Sequence, residues 1–249
     1  MEWYEVLILV GAGIVAGFIN TLAGSGSLLT LPLFMAFGLS APVANGTNRI
    51  GILLQSFVAM LSFKKQDMLD FPTALKIGIP SVIGSLIGAM IAVDVNEDAM
   101  KTAIAILLIF MFFLILLKPS RWINSHTGSP PLPLWIQMIV FFIVGLYGGF
   151  IQAGVGFFLL AALVLASGFD LIKANALKVL MVFIYTPFSL TVFIINQQVD
   201  YKLGFIVAAG SMLGAWIGAR MSVKWGPAVV RFILLAVLLV ASIKLLGLF

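Results

Sequence analysis

Long apolar runs separated by short polar joints organise this chain, and no soluble amphipathic period does. Apolar residues dominate roughly 6–37, 45–63, 73–93, 99–117, 134–168, 174–195, 203–221 and 227–247. Most of these runs approach the roughly 20 residues needed to cross hydrocarbon as a helix. The pattern therefore predicts an all-α polytopic membrane protein with about eight spans. Two runs, 6–37 and 134–168, are too long for this and are punctuated by glycine. A helix of about 35 residues would reach about 52 Å, against a core of ~30 Å. Each must tilt, break or fold back, and folding back raises the count to ten segments.

Shifted by 130 residues, the sequence overlays itself. Gly24 and Gly26 fall on Gly154 and Gly156, and Ala44-Asn45 on Ala174-Asn175. Asp70-Phe71 meets Asp200-Tyr201, and Ser81, Gly84, Ile87, Gly88 and Ala89 meet Ser211, Gly214, Ile217, Gly218 and Ala219. Gly17-Phe18-Ile19 matches Gly149-Phe150-Ile151 after a two-residue slip. Glycine abundance alone would not bring Asn45 and Asp70 into the same register as their partners. Residues 1–118 and 134–249 thus read as two homologous repeats joined by a Pro-rich connection, 119–133. In each repeat a Gly-broken first element is followed by three transmembrane helices. Gly84-x-x-x-Gly88 and Gly210-x-x-x-Gly214-x-x-x-Gly218 read as faces for close helix packing.

Charge adds orientation. Lys64, Lys65 and Lys76 flank one connection of the first repeat, where the second has only Lys202 beside Asp200. The next connection carries Asp94, Glu97 and Asp98, and its counterpart Arg220, Lys224 and Arg231. The basic side alternates between equivalent loops, which predicts inverted repeats under the positive-inside rule. Only 9% of residues are charged and 62% are hydrophobic, far from the roughly 25% charge of soluble domains. The net charge of +5 reads as membrane anchoring and not as nucleic-acid binding. The first residues, with Glu2 and Glu5 and no base, lack the basic start of a secretory signal, so this segment is expected to stay as the first membrane helix.

Candidate chemistry concentrates at the breaks. The first reads Asn20-Thr21-Leu22-Ala23-Gly24-Ser25-Gly26-Ser27, the second Gln152-Ala153-Gly154-Val155-Gly156. A helix restarting after a break aims free N–H groups and a positive partial charge into the gap, which suits an anion. Thr21, Ser25 and Ser27 add hydroxyl donors. A second cluster, Asn45, Thr47, Asn48 and Arg49, opens a helix, with Asn175 and Lys178 opposite. Asn45 and Asn175 have the chemistry of N-caps. Arg49 and Lys178 place a base inside each apolar run, where charge is costly and usually functional. They would either reach the membrane surface or face the breaks. Val179 stands opposite Arg49, so a site there would be asymmetric.

Other chemistries find little support. Cysteine is absent and the single histidine, His126, sits in the 119–133 connection. That removes thiolate chemistry and predicts no metal and no cofactor. The acids all fall in or near connections, which leaves no buried carboxylate relay. Ala23-Gly24-Ser25-Gly26 resembles a serine-protease frame but lacks a membrane histidine, so an enzyme is not expected.

At these residues the chain resembles the TauE/SafE sulfite exporter family, also called the toluenesulfonate uptake permease family. The resemblance runs through the stretch 17–27, Leu31-Pro32-Leu33, Gly38-Leu39 and 44–49, with a degenerate copy at 149–156 and 174–178. Members often have a further glycine where Ser27 stands. The resemblance implies a multi-pass carrier of the bacterial inner membrane that moves sulfite, sulfonates or related organosulfur anions, with lipid around it. An anion channel and a carrier of a non-sulfur solute remain alternatives. Nothing in the sequence sets the oligomeric state, and a homodimer is open.

Overall fold

A computed structural model of the chain describes residues 1–117 and 130–222. Among the described residues all regular structure is helical. The elements are α1 (Trp3–Ala23), α2 (Ser27–Ala36), α3 (Ala41–Lys64), α4 (Phe71–Val93), α5 (Glu97–Leu117), α6 (Leu134–Phe150), α7 (Val155–Leu165), α8 (Leu171–Ile195) and α9 (Tyr201–Ser222). The chain is a polytopic membrane protein in architecture: α1, α4, α8 and α9 are each long and apolar enough to span. The expected helix at 227–247, the basic residues Lys224 and Arg231, and His126 lie outside the described residues.

Both overlong runs break at their glycines and fold back. Gly24 ends α1 at φ 76°, a left-handed conformation, and its N–H bonds to the Asn20 carbonyl. An L side chain is disfavoured there, which is why glycine occupies the position. In a continuous helix residues 16 and 26 would stand about 15 Å apart. Here they touch, and a Cβ on Gly26 would overlap the Ala16 carbonyl and crowd Asn20. The chain therefore reverses, and α2 returns beside α1. With 21 residues, α1 is about 31 Å long and can cross, whereas the 10 residues of α2 reach about 15 Å, half the core. The second repeat does the same. Ile151 is extended, Gly154 sits at φ 72°, and α7 restarts at Val155. Across that turn the Tyr147 and Phe158 rings lie 5.1 Å apart, edge to face, and the Tyr147 hydroxyl donates to the Ala153 carbonyl. Of the three options read from sequence, folding back is the one adopted.

The glycine faces interlock the repeats crosswise. On α4, Gly84 and Gly88 press against the α6 backbone at Phe142, Leu146 and Phe150, while Gly145 and Gly149 of α6 press against Ser81 and Ser85. On α9, Gly210 and Gly214 press against Val10, Ile14 and Phe18 of α1, and Gly13 and Gly17 meet Val207 and Ser211. Each broken helix is thus clasped by the glycine helix of the other repeat. Gly24 and Gly156 meet where the two breaks converge: a Cβ on either would overlap the α-carbon of the other.

Helix starts correct one expectation. Asn45 and Asn175 are not N-caps. α3 begins earlier, after extended Ser40 with Pro42 in its first turn, because proline is preorganised for that position. α8 begins after Asp170, whose carboxylate accepts from the Ile172 and Lys173 N–H groups. The aspartates matched between repeats are the true caps. Asp70 accepts from the Thr73 N–H at 3.1 Å, and Asp200 from the Leu203 N–H at 2.8 Å. Capping explains why a polar residue recurs in that register.

A bulky residue within an interlocking face should separate backbones that now touch. Gly214→Leu is expected to destabilise the detergent-solubilised protein by about 3 kcal/mol or to abolish folded yield. Gly78→Ala, where nothing lies within 4 Å of the added carbon, should leave thermal stability unchanged or raise it by about 1 kcal/mol. Equal behaviour of the two variants would mean that the faces are not tightly packed.

Candidate functional site

Ending a helix inside a membrane strands its last carbonyls, and no water reaches them. Both broken helices meet this demand with a cation from the opposite repeat. Arg49, ninth in α3, is fully buried. It donates to the Gly149 carbonyl at 2.6 Å and the Gly148 carbonyl at 3.2 Å, at the C-terminal end of α6. It also donates to Ser189 Oγ at 2.9 Å and Gln152 Oε1 at 3.2 Å, and its guanidinium carbon lies 4.4 Å from the centre of the Phe193 ring. Asn45 completes the cap, its Nδ2 donating to the Phe150 carbonyl at 2.8 Å. Lys178, eighth in α8 and 2% exposed, treats α1 likewise. Its ammonium donates to the carbonyls of Asn20 at 3.1 Å and Thr21 at 3.0 Å, and to Asn175 Oδ1 at 2.6 Å. The negative end of a helix dipole favours a cation at both places.

Neither base reaches the membrane surface. None of the ion pairs among the described residues gives either base a carboxylate partner, so both rest on backbone carbonyls, amide oxygens and, for Arg49, the Ser189 hydroxyl and the Phe193 ring. Arg49 is occupied by backbone, serine and glutamine, and lines neither of the cavities below. Only its Nε lacks a partner.

Two narrow cavities flank the meeting point of the breaks. One, with about 330 Å³ of non-atom space, is walled by Asn20, Thr21, Ile52, Gln55, Ser56, Gln152, Val155, Gly156, Lys178, Val179 and Val182. The other, of about 200 Å³, is walled by Ala16, Asn20, Gly26, Ser27, Thr30, Asn48, Gly51, Ile52, Gln55, Val207 and Ser211. They share Asn20, Ile52 and Gln55 as a partition. Each has room for about one water, so this conformation is closed around its centre.

The second cavity opens at the start of α2. Ser27 Oγ and Asn48 Nδ2 are buried there without partners. Thr30 donates its hydroxyl to Asn48 Oδ1 at 2.6 Å, which orients the amide so that its N–H₂ is the unspent group. An unsatisfied buried donor costs about 1–3 kcal/mol, so such groups in a wall point to an absent acceptor. Gln152 is held between Arg49 and the Tyr185 hydroxyl, to which its Nε2 donates at 3.0 Å.

The sequence-derived candidates thus divide. Asn20, Thr21, Gly26, Ser27, Asn48, Gln152, Gly156 and Lys178 line the cavities. Gly24 and Gly154 shape the turns without lining them, and Ser25 is buried with an unpartnered hydroxyl elsewhere. Asn45, Arg49 and Asn175 serve helix ends: Asn175 donates to Ser222 Oγ at 3.0 Å while accepting from Lys178. Thr47 accepts the Asp200 N–H at 2.8 Å and so anchors the start of α9. Four polar wall residues, Thr30, Gln55, Ser56 and Ser211, escaped the sequence reading. Asn45, Asn48, Ile52 and Gln55 recur at helical spacing on one side of α3, and that stripe was the available signal for Gln55.

A profile of the family described as "Sulfite exporter TauE/SafE" matches residues 9–245. The probable membrane transporter protein ORF9 of Sinorhizobium sp is 27% identical, over 99% of this chain and 94% of its own. The probable membrane transporter protein YfcA of Escherichia coli (strain K12) is 31% identical, over 96% of this chain and 88% of its own. A probable membrane transporter protein of Haemophilus influenzae is 29% identical, over 90% of this chain and 88% of its own. No solved structure matches.

If Arg49 chiefly caps α6, its loss should appear first in stability. Arg49→Gln is expected to lower the stability of the solubilised protein by about 2 kcal/mol, since carbonyls of Gly148 and Gly149 lose their donor. A melting temperature equal to wild type would show that these bonds hold little of the fold.

Proposed function

Since this chain belongs to the sulfite exporter TauE/SafE family and is a membrane transporter, we propose that its cargo is a small sulfur oxyanion, of the sulfite or sulfonate kind. The observation that carries this reading is the wall chemistry. Among the described residues the two cavities present hydroxyl and amide side chains and one ammonium, and no carboxylate. A cation would meet no counter-charge, whereas an oxyanion meets donors on several sides. The restart of α2 adds the positive end of a helix dipole. Lys178 adds charge, although its ammonium now rests on the α1 carbonyls, and an arriving anion would compete for it.

The mechanism we infer is alternating access. The cavities share Asn20, Ile52 and Gln55 in their walls, and each has room for about one water. Transport then requires the partition to open toward one side at a time. The interlocking glycine faces permit small sliding between repeats without side chains in the way. The inner membrane is the expected location. Among the described residues no carboxylate lines either cavity, so the mechanism we infer routes no proton through a buried acid. The membrane potential is worth about 2.3 kcal/mol per charge per 100 mV and favours anion exit from an inside-negative cell.

Purified protein in liposomes should show saturable uptake and counterflow of radiolabelled sulfite or methanesulfonate. Lys178→Gln should reduce the rate by about tenfold, consistent with one charged hydrogen bond of about 1.5 kcal/mol or more. Flux that rises linearly with concentration and lacks counterflow would identify a channel. Transport of an uncharged solute with no response to sulfur oxyanions would overturn the substrate class.

A further inference from the structure

The two repeats no longer line their breaks with the same chemistry. At the offset of 130 residues, Ser27, Thr30, Asn48, Gly51 and Gln55 correspond to Phe157, Leu160, Lys178, Met181 and Tyr185. The first set walls the cavity at the start of α2. In the second set Phe157, Leu160, Met181 and Tyr185 are all buried and far larger, and Lys178 is committed to the end of α1. Gly148, matched to Ala16 by the slipped register, has no spare room. A Cβ there would stand 2.8 Å from Val155 Cγ2 and 3.2 Å from the Tyr185 hydroxyl. At Ser27, Thr30, Gly51 and Gln55 the first repeat leaves space that large side chains fill in the second, whereas Gly156, Lys178 and Val182, the counterparts of Gly26, Asn48 and Ile52, still line the other cavity.

The first-repeat wall is built for a guest. Ser27 is 2% exposed and Asn48 3%, and both keep unpartnered polar atoms at the cavity. Among the described residues no charged side chain lines it. Gly51 leaves its floor open, since a Cβ there would meet nothing nearer than Ser211 Oγ at 3.8 Å.

We propose that the anionic head of the cargo is seated at the first repeat's break, in the cavity at the start of α2, and that the large side chains at the matching positions of the second repeat, Phe157, Leu160, Met181 and Tyr185, form a rigid wall. Uncharged donors around a small space select a compact oxyanion head of low charge. A multiply charged anion would have to shed more hydration than dipoles alone replace. The proposal rests on the anion-carrier reading and adds where the head sits and why it sits at that break.

The test uses the purified full chain, with sulfite and methanesulfonate as probes and ligand-induced thermal stabilisation as the readout. Gly51→Met installs the residue the second repeat already has, and Gly51→Ala adds one carbon where space exists. Gly51→Met should raise the dissociation constant of the stabilising probe by about tenfold or more and Gly51→Ala by several-fold, as expected when a small pocket loses volume. Gly51→Ala should not lower the melting temperature without anion. Gly78→Ala and Met181→Leu should bind as wild type. Wild-type affinity in Gly51→Met would overturn the seat while leaving the anion reading intact. If Gly51→Met does not fold, wild-type affinity in Gly51→Ala overturns the seat in the same way. Failure of both probes to stabilise wild type would remove the anion reading and the seat with it.

Discussion

Ending a helix in the middle of a bilayer is the constraint from which the rest of this structure follows. The last carbonyls of α1 and α6 have no water to turn to, and each helix end is served by a base from the opposite repeat. Arg49 and Lys178 therefore do two things at once. They satisfy backbone that would otherwise be orphaned, and they place positive charge beside the breaks without any acid. Stability and electrostatics are supplied by the same atoms. The arrangement also ties the repeats together, because neither broken helix is complete without the other half of the chain.

Much of the architecture was legible in the chain itself. Glycine positions located both breaks, and the overlay of the halves identified the packing faces on α4 and α9. The polar matches had a concrete cause, since Asp70 and Asp200 cap equivalent helices. The reading failed where the physics is long-range. Arg49 finds its partners about a hundred residues away, on backbone that carries no sequence signature. Its identity as a base was visible and its occupation was not. Asn45 and Asn175 were misplaced for a local reason, because Ser40 with Pro42, and Asp170, start their helices earlier. Gln55 was overlooked because attention fell on breaks and charges, while a neutral amide in a span is conspicuous only as part of a helical stripe.

The duplication has diverged in content more than in form. Both repeats keep the fold-back, the glycine clasp and the crosswise base. They differ most at the cavity wall, where small polar Ser27 and Thr30 of one copy match large apolar Phe157 and Leu160 of the other. Scaffold positions are held by close backbone contact on every side, so little else fits. Wall positions face space, and space can be filled. An asymmetric carrier can thus arise on a nearly symmetric frame.

The contact of Gly24 with Gly156 has a mechanical consequence. Two α-carbons meet there with no side chain between them, so the joint has no rotamers to absorb displacement. Any tilt of one half against the other must roll about this bare point, as a beam rolls on its knife-edge.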